Sequence, residues 1–468
     1  MITLFDNFEG SSVNLRWSSA NDHDVLIAPA VQGSEVISDE KRWLRPTVGV
    51  RGVQGTMPIF AFLNYTGAPT NNSYHGGVWH RTQKPVFSYD RKTWVPFDFV
   101  NILADRITFG HNSRFTQDTI YVSGCMEMTV SQVGAWLDSI KDPAFVPAPS
   151  ANAYPLDPNV GSFPGQDFIA DAFVPQINGT SMIPWTPFYA AEINDTSLMP
   201  ARGVKQLAVL VAGVHGGEDL GNYTLCGVVQ AILDRTSPWG NALRKAFRIL
   251  IYPMMNPPGR YGGGWRGSYA KGNSGEDDLN RHFSSTMTGL EIIDIPKRAI
   301  TYDRNGQTLA FAFDFHGTYT APFTMFVDQN RPTDVAFKNA LESIAGVPIL
   351  NEGSAHPGFT TEYFRTLGAS PSITHETGTS KFMTKGELAE HGIDFVEALA
   401  RTKGLVSAPV VPAPTPVPVP APAPVPVPSP VPVPTPPPLP PATTQTFSGN
   451  FTVTINNDGT RTFTGTYR

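Results

Sequence analysis

The sequence predicts an α/β protein, in which a mixed-sheet α/β/α domain follows an antiparallel β-sandwich and precedes a proline-rich tail. Short alternating apolar runs with intervening turn residues fill about the first 145 residues, a pattern typical of a sandwich. From about residue 165 to 404, apolar strands alternate with helical stretches. Beyond Pro409 the composition changes abruptly. We therefore expect a sandwich domain over 1–150, an α/β domain over 151–404, a linker over 405–441 and a tail over 442–468.

The sandwich prediction depends on the runs VLIAPAV, PIFAFLNY and TIYVSGCMEM, each of which can present an apolar face. Turn signals separate them at Asn71-Asn72, at Asp90-Arg91-Lys92 and at His111-Asn112-Ser113. One helical run, SQVGAWLDSI, follows the last strand. These short runs and frequent turns favour an antiparallel sheet structure.

The second domain begins with QLAVLVAGVHGG, a nearly continuous apolar run of the kind that is buried on both faces of a sheet. A helical stretch follows from Gly221 to about Asp234, and FRILIYPMM, TLAFAFDFH and PSITHE read as further strands. VAFKNALESIA and GELAEHGIDFVEALARTK read as helices. Strands that alternate with helices predict helices on both faces of a mostly parallel sheet.

The tail has two parts. From Pro409 to Pro441, proline alternates with valine or alanine, which favours an extended polyproline II spacer on the order of 100 Å long. A ligand for proline-binding domains is the alternative, although the basic flanks of such ligands are missing. After the spacer, Phe451, Val453 and Ile455 alternate with threonines and precede an Asn-Asn-Asp-Gly turn, which predicts a β-hairpin. Spacer and hairpin together suggest attachment to a larger assembly.

Composition restricts the classes of function. The 468-residue chain is 41% hydrophobic and 16% charged, with a formal net charge of −6 and no basic stripe, which argues against nucleic acid as a partner. Cys125 and Cys226 do not form a disulfide framework. The N-terminus lacks the pattern of a signal peptide, and no apolar run predicts a membrane span. We therefore expect cytoplasmic residence, with association with a phage virion as the alternative.

A candidate metal site comes from two strand ends. His215-Gly216-Gly217-Glu218 follows one strand, and the two glycines allow a tight turn through which both side chains reach one ion. Asp314-Phe315-His316-Gly317 ends another strand, where ligands in α/β proteins collect. Two histidines and one glutamate leave a fourth tetrahedral position open for water, and this ligand set suits one zinc ion. Asp314 is a candidate partner that orients His316.

A third strand, Ser372-Ile373-Thr374-His375-Glu376-Thr377, ends in an ionisable pair. Because side chains alternate along a strand, only one of His375 and Glu376 can face the site. A carboxylate near a metal-activated water can remove its proton and later return that proton to the leaving group. Glu376 is therefore the candidate general base, and we expect His375 to be structural.

A glycine-rich segment, NPPGRYGGGWRGSYAKGNSGEDDLNRHF, reads as a loop at the sheet edge and carries Arg260, Arg266 and Arg281. Each of them alone could be an ordinary surface charge. A hydrolytic site at a carbonyl, however, needs one cation for the oxyanion and another for a substrate carboxylate. The loop supplies candidates for both positions.

These pieces, in this order, resemble the zinc metallocarboxypeptidase family. Its cytosolic carboxypeptidase branch, which has an N-terminal β-sandwich, is similar in LAVLVAGVHGGE, MMNPPG…WRG…DDLNRHF and FDFHG. VFSYDRKTW and DTIYVSGCMEMTVSQVGAWL are similar to its sandwich, so the resemblance covers roughly residues 1 to 400.

The resemblance implies a role for each matching residue. His215, Glu218 and His316 match the zinc ligands, and Glu376 matches the general base. Arg266 matches the residue that polarises the scissile carbonyl and stabilises the oxyanion, while Asn280 and Arg281 match the pair that holds the terminal carboxylate of the substrate.

Three features depart from the family pattern or are not fixed by it. Asn-Pro-Asp-Gly reads Asn-Pro-Pro-Gly here, for which we expect only a local structural effect. Tyr363 and Tyr319 are candidates for the tyrosine that assists the leaving group. Arg365 could favour an acidic substrate side chain and Glu362 a basic one, and the alternative for either residue is a solvated side chain without a role in specificity.

The sequence thus predicts a zinc metallopeptidase that hydrolyses a peptide or isopeptide bond next to a free carboxylate. The expected substrates are the C-termini of peptides or proteins, with cell-wall peptides among the candidates. Two alternatives stay open. One is a small-molecule deacylase or amidohydrolase on the same scaffold, and the other is a non-catalytic attachment or binding protein.

Overall fold

A computed structural model describes most of the chain. The described residues are 1–27, 46–63, 85–147, 188–261, 279–283, 291–317, 323–406 and three tail strands, apart from short gaps within these ranges. Two compact units are present, Met1–Ala408 and Pro409–Arg468. The predicted boundary between residues 150 and 151 lies outside the described residues and stays a prediction. Within the described part of the chain, every helix is too short or too polar to traverse a lipid bilayer.

The first part of the chain forms two five-stranded sheets, as predicted. One has the order β1-β4-β10-β6-β7 and the other β2-β3-β5-β9-β8. The strands are β1 Thr3–Phe5, β2 Ser19–Ala20, β3 Asp24–Ile27, β4 Thr47–Arg51, β5 Ile59–Leu63, β6 Val86–Ser88, β7 Val95–Pro96, β8 Phe99–Ile102, β9 Arg106–Gly110 and β10 Thr119–Ser123. Their pairs are antiparallel, except that β3 pairs with β5 in parallel.

Phenylalanines fill the space between these two sheets. Phe60, Phe97 and Phe109 are fully buried, and the Phe60 and Phe109 rings stack with centroids 5.8 Å apart. Residues of both sheets share this core, which accounts for the alternation in the predicted strands. Helix α1, Val130–Ser139, follows β10, and Thr129 caps it in a capping box with Gln132.

An eight-stranded mixed sheet forms the second part, in the order β11-β12-β14-β13-β15-β18-β16-β17. Its strands are β11 Phe145–Pro147, β12 Ala191–Ile193, β13 Gln206–Ala212, β14 Phe247–Tyr252, β15 Leu309–His316, β16 Phe323–Phe326, β17 Leu350–Asn351 and β18 Ser372–Thr377. The four central strands, β14, β13, β15 and β18, run parallel. Strands β12 and β16 flank them in antiparallel pairs. In β13, every residue from Leu207 to Ala212 is buried, as its continuous apolar sequence predicts.

Helices cover both faces of this sheet and complete the predicted α/β/α layers. They are α2 Asp219–Leu233, α3 Pro238–Ala246, α4 Pro257–Tyr261, α5 Glu291–Arg304, α6 Pro332–Ala345, α7 Thr360–Thr366 and α8 Lys385–Thr402. Residues of α2, α3, α6 and α8 form one core with the sheet, where the Phe313 ring lies 4.7 Å from both Phe337 and Phe395. Residues of α5 and α7 contribute to the core on the other face.

The parallel run brings three strand ends to one edge of the sheet. Ala212 ends β13 beside Phe315 of β15, and His316 ends β15 beside Glu376 of β18. Parallel neighbours have their carboxyl ends at the same edge, where α/β proteins place their ligands. The topology therefore positions the three predicted site segments together.

The second unit contains three strands, β19 Thr443–Phe447, β20 Phe451–Ile455 and β21 Arg461–Gly465. They pair as an antiparallel sheet in the order β19-β20-β21. Strands β20 and β21 correspond to the predicted hairpin, and β19 adds a strand that the pattern did not predict. The proline-rich spacer lies outside the described residues.

Candidate metal centre

The first two candidate ligands lie in the turn between β13 and α2. Gly213 leaves the strand with φ +70°, a left-handed conformation that favours glycine. The turn then closes with the Glu218 amide donating to the His215 carbonyl at 3.2 Å. Glu218 is the last residue before α2 begins. The short turn therefore presents both side chains on one side, as the His-x-x-Glu spacing predicts.

Three ligand atoms converge at the sheet edge. Nδ1 of His215 lies 2.8 Å from Oε1 of Glu218, and Nδ1 of His316 lies 2.6 Å from Oε2. The two histidine Nδ1 atoms are 3.2 Å apart. All three side chains are buried, with 1 to 4% of each residue exposed. The structure thus brings together the three residues that the sequence singled out as metal ligands.

This donor set fits zinc. Two nitrogens bound to one tetrahedral zinc ion at the usual Zn–N length lie about 3.3 Å apart. The observed 3.2 Å between the His215 and His316 nitrogens is close to that separation. Two imidazoles and one carboxylate suit zinc better than calcium or magnesium, which prefer oxygen. A three-ligand centre also leaves one position for water or substrate.

Asp314 orients His316 as predicted. Its Oδ2 lies 2.8 Å from Nε2 of His316, whereas Nδ1 of the same ring faces Glu218. A proton on Nε2 is held by this contact, so Nδ1 keeps its lone pair for a metal. Both residues are fully buried, so the contact is shielded from water.

The electrostatics of the site favour a cation. Burial would raise the pKa of Glu218, but His215 and His316 outweigh it and hold that pKa well below its usual range. Burial likewise would lower the pKa of His316, but Asp314 and Glu218 together raise it well above its usual value. Glu218 therefore stays ionised, and its buried negative charge favours a cation at this site.

Two glycines that the sequence reasoning did not single out for packing allow α2 to approach the strand ends. A Cβ on Gly221 would lie 2.5 Å from the Phe315 carbonyl oxygen, and one on Gly317 would lie 2.9 Å from the Thr377 carbonyl oxygen. Neither distance is tolerable for a real side chain. Only glycine therefore lets Glu218, at the start of α2, reach His316.

Glu376 stands beside the ligands. It pairs in register with His316 on the neighbouring parallel strand and is 6% exposed. Because facing residues of parallel strands point to the same side, Glu376 shares the sheet face of His316, Asp314 and Thr374. The structure therefore places the candidate base next to the candidate metal position.

His375 points away from this face, as predicted. Its Nε2 lies 2.8 Å from Nε2 of His391 on α8, and the His391 ring stacks on Phe323 at 3.6 Å. Burial lowers the pKa of His375 to about 3 and also lowers that of His391, which the neighbouring His375 depresses further. The pair is therefore neutral and belongs to the core.

The predicted carboxylate-binding pair lies in a short helical turn, Leu279–Arg281, which contacts the start of α7. Oδ1 of Asn280 accepts hydrogen bonds from the amide and the hydroxyl of Thr360, both at 2.8 Å. Arg281 is exposed, and its guanidinium lies 4.4 Å from the centre of the Phe359 ring. Arg266 lies outside the described residues.

Helix α7 also connects this pair to the strand that carries Glu376. The Thr361 hydroxyl lies 3.3 Å from that of Thr374, two residues before Glu376 on the same face of β18.

The candidate tyrosine Tyr363 is 5% exposed, and burial raises the pKa of its phenol. Its hydroxyl is 3.4 Å from that of Thr301, so Tyr363 is a core residue. Tyr319 lies outside the described residues.

The structure does not support the two specificity candidates. Arg365 donates to Asp334 at 2.9 Å and to the Ser372 carbonyl at 2.8 Å, and it also pairs with Glu362. Ser372 begins β18, whereas Glu376 lies near its end. Arg365 is thus committed to a buried ion pair at the end of the strand remote from the ligands.

Arg260 is buried rather than part of the loop surface. Its guanidinium pairs with Asp219, the residue after the candidate ligand Glu218. The Asn-Pro-Pro-Gly turn before it contains its own hydrogen bond, in which Oδ1 of Asn256 accepts from the Gly259 amide at 3.0 Å. The second proline of Asn-Pro-Pro-Gly is compatible with the start of α4, where a missing amide proton costs nothing.

Part of the chain is similar in sequence to known proteins. Residues 186–309 match the zinc carboxypeptidase family. Cytosolic carboxypeptidase 2 of Homo sapiens is 35% identical over 100 residues, which are 21% of this chain, and that of Mus musculus is 31% identical over 131 residues, which are 28%. This chain spans only a small part of these relatives, 10% of the human protein and 14% of the mouse protein.

Solved structures share the fold over most of the chain. A metallo-carboxypeptidase from Burkholderia cenocepacia superposes with a TM-score of 0.64 at 17% identity, covering 86% of this chain and 99% of that one. One from Pseudomonas aeruginosa gives 0.61 at 12% identity, with 86% and 99% covered. The matched residues 186–309 include two of the three converging ligands, His215 and Glu218. Part of the chain therefore matches the zinc carboxypeptidase family, and most of the chain shares the fold of the solved metallo-carboxypeptidases.

Proposed function

We propose that the protein is a zinc-dependent carboxypeptidase, which hydrolyses a peptide or isopeptide bond next to a free carboxylate. The observation that carries this proposal is the convergence of His215, Glu218 and His316 with Glu376 in register beside them. One zinc ion held by the three ligands supplies Lewis-acid chemistry, which polarises a carbonyl and acidifies a water molecule. The match of residues 186–309 to the zinc carboxypeptidase family supports the same reaction.

Glu376 acts as the general base in this proposal. It takes the proton of the attacking water and later delivers it to the leaving amine. Its position, 6% exposed and one strand from His316, excludes most bulk water from the proton-transfer path.

Three further residues bind the substrate. Arg266 stabilises the oxyanion that forms at the scissile carbonyl. Asn280 and Arg281 hold the terminal carboxylate, for which an amide and a guanidinium are suitable donors. Binding a free carboxylate at this point restricts cleavage to the end of a chain.

The substrate is the C-terminus of a peptide or protein, and cell-wall peptides belong to the same chemical class. The curated relatives are named cytosolic carboxypeptidases, which supports a peptide substrate. Cytoplasmic residence and attachment through the C-terminal tail stay predictions.

A panel of peptides tests the proposal directly. Matched substrates would carry a free C-terminal carboxylate, a C-terminal amide, or an N-acylated single amino acid. We expect release of the last residue only from free-carboxylate peptides, at a rate that follows the zinc content. Equal cleavage of the amides would exclude exopeptidase action. A preference for acylated amino acids would identify a deacylase, and no turnover with full zinc occupancy would identify a binding protein.

A further inference from the structure

Helix α2 has a buried arginine at each end. Arg260 lies at its N-terminus beside Asp219, and Arg244 lies at its C-terminus, where it donates to the carbonyl oxygens of Ile232 and Asp234. Both arginines are fully buried. The two ends of the helix differ in that a candidate metal ligand, Glu218, lies immediately before the N-terminal end.

Asp219 is held from two directions. Its Oδ1 accepts from the Met128 amide at 2.6 Å and from Nη1 of Arg260, and its Oδ2 lies 3.9 Å from Sγ of Cys125. Cys125 and Met128 belong to the segment between β10 and α1. The first residue of α2 is therefore fixed by the part of the chain that follows the N-terminal sheets.

Arg260 closes the same network. Its Nη1 also donates to the Met128 carbonyl at 2.9 Å, and its Nη2 donates to Oδ1 of Asn222 at 2.7 Å. The amide of Asn222 in turn donates to the carbonyl of Pro253, after β14. Asp219 and Asn222 lie one helical turn apart, so the guanidinium spans the first turn of α2.

An ion pair this deeply buried is not explained by stability alone. Desolvation of two charges offsets their attraction, and a well-packed apolar pair of similar size is often as stable or more stable. What such a pair provides is one defined geometry. Here the ion pair fixes the position of Asp219, the residue next to Glu218. The two carboxylate oxygens of Glu218 must face His215 and His316 at once.

We propose that Asp219 and Arg260, together with the Met128 backbone, position Glu218 for metal binding. They are positioning residues, since neither is among the converging ligands. If the network is lost, the first turn of α2 can rotate, and Glu218 no longer satisfies both histidine directions. The N-terminal part of the chain is then an integral support of the metal centre. This inference rests on the proposed zinc site.

Zinc affinity of the full chain tests the proposal. The variants are Arg260→Met, Asp219→Asn and their combination, with Arg244→Met as the matched control at the other end of α2. Zinc dissociation constants would be measured by chelator competition, and unfolding of the metal-free proteins would be followed separately. We expect Arg260→Met and Asp219→Asn each to weaken zinc binding by about 10- to 100-fold, as for other residues that orient ligands. Arg244→Met should lower stability while zinc affinity stays within about threefold of wild type.

The double variant and the absorption spectrum of a cobalt-substituted protein add two independent measurements. Because both residues act through one network, the double variant should bind zinc about as weakly as either single variant. The visible absorption of the cobalt-substituted Asp219→Asn protein should differ from wild type, since the ligand geometry changes. If Arg260→Met does not fold, Asp219→Asn, which preserves shape, supplies the test by the same two measurements.

The outcomes distinguish this inference from the proposed function. Unchanged zinc affinity and an unchanged cobalt spectrum in the folded variants would overturn the positioning role but leave the proposed enzyme intact. Equal loss of zinc affinity in Arg244→Met would also overturn it, because the effect would then follow general stability. Absence of zinc binding by the wild-type protein would overturn the proposed metal site, and with it the inference.

Discussion

His316 and Glu376 are paired in register at the carboxyl ends of two adjacent parallel strands, so that a candidate metal ligand and a candidate base share one face of the sheet. His375, one residue before Glu376 on the same strand, points into the core on the other face and pairs with His391. A shift of β18 by one residue would exchange Glu376 for His375. The register of β18 therefore decides whether a glutamate or a histidine lies beside His316.

Replacing Glu376 with glutamine should leave zinc bound and remove turnover. The amide keeps the shape of the side chain but cannot accept the proton of water, and a general base contributes on the order of 10²- to 10⁴-fold. Zinc content and kcat on a free-carboxylate peptide would be measured together. Glu362→Gln, on α7 and outside the converging ligands, is the control and should retain activity. Retained turnover in Glu376→Gln would contradict the assigned role.

Replacing Asp314 with asparagine should weaken zinc binding by about 10- to 100-fold, since the amide no longer holds the proton on Nε2 of His316 in the same way. The measurement is chelator competition at constant pH. Asp303→Asn is a suitable control, because Asp303 is also buried but accepts a hydrogen bond from the Tyr252 hydroxyl at 2.6 Å. Equal effects of the two substitutions would show that the loss is not specific to the histidine contact.

A methyl group at Gly221 should damage both stability and metal binding. Its Cβ would meet the Phe315 carbonyl oxygen at 2.5 Å, so α2 must move away from β15. Overpacking of this kind costs about 1 to 3 kcal/mol. Gly386→Ala is the matched control, because the nearest atom would be 3.7 Å away in the first turn of α8. Unfolding free energy and zinc affinity should fall in Gly221→Ala, whereas Gly386→Ala should be stable or slightly stabilised.

Replacing Asn280 with aspartate should reduce kcat/KM without unfolding the protein. The carboxylate can still accept both hydrogen bonds from Thr360, but it repels the terminal carboxylate of a substrate. We expect a loss of about 100-fold or more, seen mainly in KM, because truncating or opposing a buried charge contact costs about 2 to 5 kcal/mol. Unchanged KM for free-carboxylate peptides would remove Asn280 from the binding pair.

The neutral histidine pair makes stability depend on pH. The pKa of His375 is lowered to about 3 in the folded protein, whereas histidines of the unfolded chain titrate near 6.5. Between those values the unfolded state binds protons that the folded state does not, so the free energy of unfolding falls as pH falls. The slope is up to about 1.4 kcal/mol per pH unit for each histidine. Urea unfolding of the metal-free protein from pH 7 to 4 would measure it.

The double variant His375→Phe/His391→Phe isolates this effect. Its surroundings are already aromatic, with Phe315, Phe323 and Phe395 around His375. We expect a shallower decrease of stability with falling pH than in the wild type. Parallel curves for the two proteins would show that the pair is not responsible.

Much of the fold could be predicted from the sequence because its signals are local. The apolar run of β13 and the helical pattern of α8 each report burial through residues adjacent in the chain. The ligand set could also be predicted, since His215 follows one strand and His316 ends another. The parallel pairing of β3 with β5 was not predicted, because alternation does not encode the direction of a partner strand.

The roles of the remaining residues depend on contacts between segments that are distant in the sequence. Nothing near Arg260 in the sequence indicates that its charge is paired with Asp219, so a loop position suggested a surface role. Arg365 was misjudged for the same reason, because Asp334 lies on a different helix. Gly221 resembled an ordinary helical glycine, although the approach of β15 requires it. Such roles appear only when the strands are assembled.

The separation of the ligands along the chain has a consequence for folding. His215 and His316 are 101 residues apart, and Glu218 and His316 are 98 residues apart. Only one His-x-x-Glu half of the centre is local, so an unfolded chain offers zinc at most two ligands at once. Capture of the ion must follow the assembly of β13 and β15, which is a slow, non-local step. At the proposed site, zinc would then stabilise a finished sheet and would not nucleate it. Excess metal during refolding should raise the final stability without accelerating the appearance of the native fold.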